Sequence, residues 1–113
     1  MGDCPVAGWP SSTHRFEAPE GSAYVTVCFT GDGPWIDCTV GKSGSGIRAD
    51  AHALAAVCGI ALRNGTPPIL LVHALKEISH EGSAAMRLAK RGGAKVALSV
   101  ADAIGDTIWQ ELT

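Results

Sequence analysis

Two β-type runs joined by a tight turn constrain this chain more than anything else in it. Residues 23–30, AYVTVCFT, alternate Tyr24, Thr26, Cys28 and Thr30 against Val25, Val27 and Phe29. Period-two alternation of β-branched and aromatic residues is what a strand with two different faces requires. Gly31-Asp32-Gly33-Pro34 supplies a turn, and WIDCTV at residues 35–40 reads as the returning strand of a hairpin. The run HRFEA at residues 14–18 reads as a short edge strand, and residues 1–13, rich in Pro, Gly and Ser, as an irregular arm.

After the hairpin the pattern turns helical. Residues 47–63 place Leu54, Val57, Cys58 and Leu62 near a 3.6-residue period, and Asn64-Gly65 gives a left-handed stop. Thr66-Pro67-Pro68 starts a second helix to about Ile78, because threonine caps a helix and proline suits its first turn. That helix puts Leu71, Leu75 and Ile78 on one face. Ser99 reads as the N-cap of a last helix to Glu111, with Ile104, Ile108 and Leu112 as its buried stripe, while residues 79–98 read as part helix and part loop. Strands first and helices after predict an α+β fold, a small antiparallel β-sheet followed by two to three packed helices. A chain of 113 residues has room for one domain. So small a core makes a homo-oligomer, a dimer or higher, the expected state.

Composition narrows the partners. A net charge of -2 without a dense basic run argues against duplex nucleic acid. No apolar run reaches the roughly 20 residues of a membrane span. The first residues lack a basic stretch followed by an apolar one, and Val6 breaks the myristoylation pattern, so a cytoplasmic location off the membrane is expected. Cys4, Cys28, Cys38 and Cys58 form no C-x-x-C pair, and no histidine pair has zinc-finger spacing. No metal and no cofactor are expected, and the thiols read as buried and reduced. Cys28 and Cys38 face each other only if the turn register allows it.

The loop VGKSGSGIRAD, residues 40–50, is the first candidate site. It is not a P-loop, which needs a glycine where this chain has Ile36. Two readings stand for it. Gly44 and Gly46 permit a tight strand-to-helix crossing while Ser45 caps the helix. Alternatively, successive N–H groups at a helix start, with Lys42 and Arg48 as cations and Ser43, Gly44 and Ser45 as donors, hold an anion. Arg87, Lys90, Arg91 and Lys95 form the densest positive patch. It reads as solvated surface or as a basic segment, hinged at Gly92-Gly93, that closes over an anionic ligand through Arg87 and Arg91.

Asp50 and His52 near one helix start, and Asp102 and Asp106 on the last helix, have the residue types of acid–base chemistry. Aspartates there also complement a helix dipole. His73 reads as a partly buried structural histidine. No catalytic signature such as G-x-S-x-G or H-E-x-x-H occurs, and a non-enzyme is expected. Trp9, Trp35 and Trp109 suit a subunit interface or a base-stacking platform as well as ordinary core packing.

The stretch VGKSGSGIRADAHALAAVCGIALRNGTPPILLVHALKEISHEGS, followed by LSVADAIGDTIWQEL, resembles the TSCPD domain family. Its members occur at the C-terminal end of some ribonucleotide reductases and as free-standing small proteins. The likeness lies in the glycine-serine loop after VGK, the helix ending ALRNG, the proline-started helix, and the closing helix with DAI. It implies a single TSCPD-like domain here. The signature T-S-C-P-D corresponds to Leu98-Ser99-Val100-Ala101-Asp102, so Ser99 and Asp102 remain while the cysteine and proline are gone. A second cysteine common in the family falls at His80. A metal or redox centre built on those thiols is therefore not expected here.

Two functions follow as expectations. One is non-catalytic capture of a phosphorylated, nucleotide-type small molecule. In size and character the chain is similar to phage proteins that sequester cyclic ADP-ribose or cyclic nucleotide immune signals, which would act in the host cytoplasm. The other, implied by the family resemblance, is a detached interaction domain that docks on a ribonucleotide reductase.

Overall fold

The structure, a computed structural model, describes residues 9–19, 21–41, 45–78, 95–97 and 99–113. Strands β1 (Ser11–Ala18), β2 (Gly21–Thr30) and β3 (Gly33–Val40) come first. Helices α1 (Ser45–Arg63) and α2 (Pro68–Ile78), a two-residue strand β4 (Lys95–Val96) and helix α3 (Val100–Leu112) follow. This is the expected α+β order. β1, β2 and β3 are antiparallel neighbours, but the sheet order is β3-β2-β1-β4, and β4 pairs with β1 in parallel.

Several details differ from expectation, and β2 and β3 each begin two residues earlier than read, at Gly21 and Gly33. β1 begins at Ser11, so Ser11 to Thr13 belong to the sheet and not to an arm. β4 pairs with Phe16 and Glu17, so that end of the run at residues 14–18 lies inside the sheet rather than at its edge. α1 starts at Ser45, which makes Ser45 its first residue rather than the residue ahead of it.

The register divides the sheet into two faces. Val25 opposes Cys38 and Val27 opposes Ile36, and together with Phe16, Ala23 and Val40 these side chains are buried on the inner face. α3 lies over β2 and β1, contributing the fully buried Ile104 and Ile108, and α2 packs on α3. Burial of each such side chain stabilises the fold by about 1.5–3 kcal/mol. The outer face carries Thr26 and Cys28 opposite Asp37 and Trp35.

Local signals set the helix ends. Ser99 is extended and its side chain accepts the Asp102 N–H, which caps α3. Gly65, at φ 95, closes α1, with Thr66 N–H bonded to the Ala61 carbonyl and Gly65 N–H to that of Leu62. That is the Schellman pattern. The stripes of the first two helices are narrower than periodicity suggests. Val57 points outward, 62% exposed, because Ala51, Ala55 and Cys58 make the buried face of α1. On α2, Val72 and Leu75 are buried, and His73 is exposed rather than partly buried.

The cysteines are not all reduced. Cys28 is disulfide-bonded, whereas Cys38 and Cys58 are not. The register explains why Cys28 and Cys38 do not pair with each other. Cys28 opposes Trp35 on the outer face, and Cys38 opposes Val25 on the inner one. Cys4 lies outside the described residues. Burial pushes the Cys58 thiol up, away from the reactive thiolate.

α1 lies along β3, and Gly59 sits at the point of closest approach. A Cβ there would stand 3.1 Å from the Ile36 backbone nitrogen and 3.0 Å from an Arg63 guanidinium nitrogen. Gly59→Ala therefore destabilises the protein by about 1–3 kcal/mol despite alanine's better helix propensity. Gly46→Ala, where nothing lies within 4 Å, leaves stability unchanged or raised. Denaturant unfolding of the two variants checks this contrast.

Candidate functional site

A cavity lies between α1 and the outer face of the hairpin. It is lined by Thr26, Cys28, Trp35, Ile36, Asp37, His52, Ala56, Ile60 and Arg63, with a volume of about 190 Å³. Its residues come from two simple periodicities. Trp35 and Asp37, two apart on β3, face the same way, and their direct partners on β2 are Cys28 and Thr26. His52, Ala56 and Ile60 recur every four residues on α1 and form the opposite wall.

Its polar groups are arranged in two sets. Asp37 is buried at 5% exposure, and its Oδ1 lies 2.7 Å from His52 Nδ1. A carboxylate only accepts, so Nδ1 donates and the imidazole is held on the carboxylate. A buried aspartate needs such a partner, because an unpaired charge there is costly. At the other end the Arg63 guanidinium lies 3.6 Å from the centroid of the Trp35 ring. Its Nη1 donates to the Pro34 carbonyl at 2.9 Å. The stack and the hydrogen bond fix a planar cation at the cavity rim. Trp35 Nε1 is buried and has no hydrogen-bond partner among the described residues. Buried donors are ordinarily satisfied, so an unpaired indole N–H beside a cavity is where a ligand acceptor fits.

The sequence-predicted ligand residues are only partly described. Lys42, Ser43, Gly44, Arg87 and Arg91 lie outside the described residues, as do His80 and the Gly92-Gly93 pair. The Ser45 side chain is likewise outside them. Arg48 is exposed in the first turn of α1, one helical turn before His52. Arg48 and Arg63 are fifteen residues apart on one helix, about 22 Å by its rise. His52 and Trp35, both weighed from sequence, come together at the cavity. Asp37 and Arg63 were missed. Their signal was present: Asp37 shares the outward strand parity of Trp35, and Arg63 ends the stripe that starts at His52.

The aspartates of the last helix do structural work. Lys76 Nζ lies 2.7 Å from Asp102 Oδ1 and also bonds Asp106, tying α2 to α3. Among the described residues there is no group of three or more His, Cys, Asp or Glu side chains suited to a metal ion. No helix among them is long and apolar enough to cross a membrane. A second cavity, about 270 Å³, lies where α1 meets the start of α3, lined by Ile47, Asp50, Ala51, Leu54, Ser99, Val100 and Ala101. Val100, which the resemblance matches to the signature cysteine, lines this mainly apolar hollow.

The TSCPD domain family model matches residues 7–112, nearly the whole chain. The protein belongs to the TSCPD domain family. No curated protein and no solved structure matches it.

Ser99 and Asp102, which the resemblance matches to the family signature, both have structural roles in this fold. Ser99 caps α3, and Asp102, 2% exposed, is neutralised by Lys76. Lys76→Met removes the cation paired with that buried carboxylate and costs about 3 kcal/mol, the low end for a broken buried pair because Lys76 is a quarter exposed. Adding Asp102→Asn to Lys76→Met recovers part of the loss. Equilibrium denaturation of the single and double variants measures both steps.

Proposed function

We propose that this TSCPD protein is a non-catalytic binding module that captures a phosphorylated, nucleotide-type small molecule. The observation that carries the reading is the unpartnered Trp35 N–H beside a cavity whose rim holds the Arg63 guanidinium. A donor without an acceptor, next to a fixed planar cation, suits a ligand that carries both an acceptor atom and an anionic group. Arg48, one turn beyond His52, adds a cation where the chain enters α1, and Lys42 is close to it in sequence. Cyclic ADP-ribose and cyclic nucleotides combine planar bases with phosphates and belong to this ligand class. The protein would then act as a sponge for an immune signal, binding without turnover. Self-association fits the same picture, since α1 leaves Val57 and Ile60 more than half exposed.

Native mass spectrometry against linear and cyclic nucleotides tests the reading. One intact ligand per site on a defined oligomer is the expected outcome. Unchanged mass across the panel would sink it and favour docking on a ribonucleotide reductase, which a pull-down with that enzyme checks. Replacing Lys42 and Arg48 together by alanine lowers affinity for a bound nucleotide about tenfold or more, the loss of charge-assisted hydrogen bonds. Isothermal titration reads that change.

A further inference from the structure

The cavity and the cations around it divide a ligand's chemistry between them. Resting on the capture reading above, we infer that the cavity between α1 and β3 takes the planar base of a nucleotide and leaves its phosphate outside. Size is the first reason. At about 190 Å³ the cavity falls below the roughly 300 Å³ at which pockets begin to enclose whole drug-sized ligands. It holds a head group, not a nucleotide.

The walls give the second reason. Cys28, Ala56 and Ile60 present apolar surface, and the Trp35 ring is flat. Apolar, planar walls fit the π-faces of a heteroaromatic ring and give a phosphate nothing.

The floor gives the third. Asp37 places a buried carboxylate on the same strand face as Trp35, about 6.6 Å away along the strand. One of its oxygens, Oδ1, holds His52, and the other, Oδ2, is an acceptor. A carboxylate repels phosphate, but it accepts from the amino or imino N–H of a base. The indole N–H of Trp35 complements it by donating to a carbonyl oxygen or ring nitrogen. Nucleobase edges carry a donor beside an acceptor, which is the pattern this pair of side chains reads. The phosphate then lies at the rim. There Arg63 has N–H groups beyond the one bonded to the Pro34 carbonyl.

Titration calorimetry of the full chain with AMP, GMP, cyclic ADP-ribose and ribose 5-phosphate tests this, alongside the Trp35→Phe variant. Phenylalanine keeps a ring under Arg63 and removes only the indole donor. At least one of the base-bearing ligands should bind tenfold or more tightly than ribose 5-phosphate. Trp35→Phe should remove most of that advantage and leave ribose 5-phosphate binding unchanged. If ribose 5-phosphate binds as tightly as all three, the cavity does not read a base, although capture of phosphate stands. A base preference that survives in Trp35→Phe places the base elsewhere and overturns the assignment. Absence of binding by all four overturns the capture reading and this inference with it. The wild-type comparison alone decides the first point, so a poorly folding variant does not shield the idea.

Discussion

The approach of α1 to the backbone of β3 is the contact on which the rest of the molecule depends. Gly59 lets the helix axis come close enough that a single methyl group would press on the Ile36 nitrogen. Because the helix is that near the sheet edge, His52 can bond Asp37 and Arg63 can lie on Trp35, although both partners belong to the outer face. The same helix buries Ala51, Ala55 and Cys58 inward. One element therefore closes the core on one side and walls the cavity on the other. Small residues make this possible, since larger ones at either seam would lift the helix and open both.

How far the sequence foretold this depends on the range of each interaction. The hairpin was readable because its alternation and turn lie within a single stretch. The caps at Gly65 and Ser99 were readable for the same reason. β4 was not: two residues cannot carry a period, and Phe16 pairs with Lys95 across most of the chain. The arm was drawn too long because Ser11 to Thr13 carry small polar side chains, and only pairing with Thr26, Val27 and Cys28 makes them a strand.

The cavity shows the same limit. Asp37 reads as an ordinary outward residue of a strand, and Arg63 as a cation complementing a helix C-terminus. Each acquires its place only when α1 folds back antiparallel on β3, which pairs the end of the helix with the start of the strand. Trp35 and His52 were noticed for their chemistry, but what they face follows from that packing. The spacing His52, Ala56, Ile60 and the parity of Trp35 with Asp37 were both in the sequence. Nothing local said that the two would oppose each other.

The family signature sharpens the contrast between what this chain keeps and what it has changed. Ser99 and Asp102 are held by the fold, one as a cap and the other as a buried ion-pair partner, and their loss would unseat α3 from α2. Val100 and Ala101 have no such duty, and an apolar hollow stands where a thiol would be. The cavity beside the unsatisfied indole N–H lies on the other side of α1, around Trp35 and Asp37. An unsatisfied indole N–H costs about 1–3 kcal/mol, a large share of the margin by which small domains fold. The Ser99 cap and the Lys76 pair are satisfied, whereas the Trp35 donor is not, and the proposed binding rests on that difference. That places the centre of interest on the helix–hairpin seam rather than on the signature that names the family.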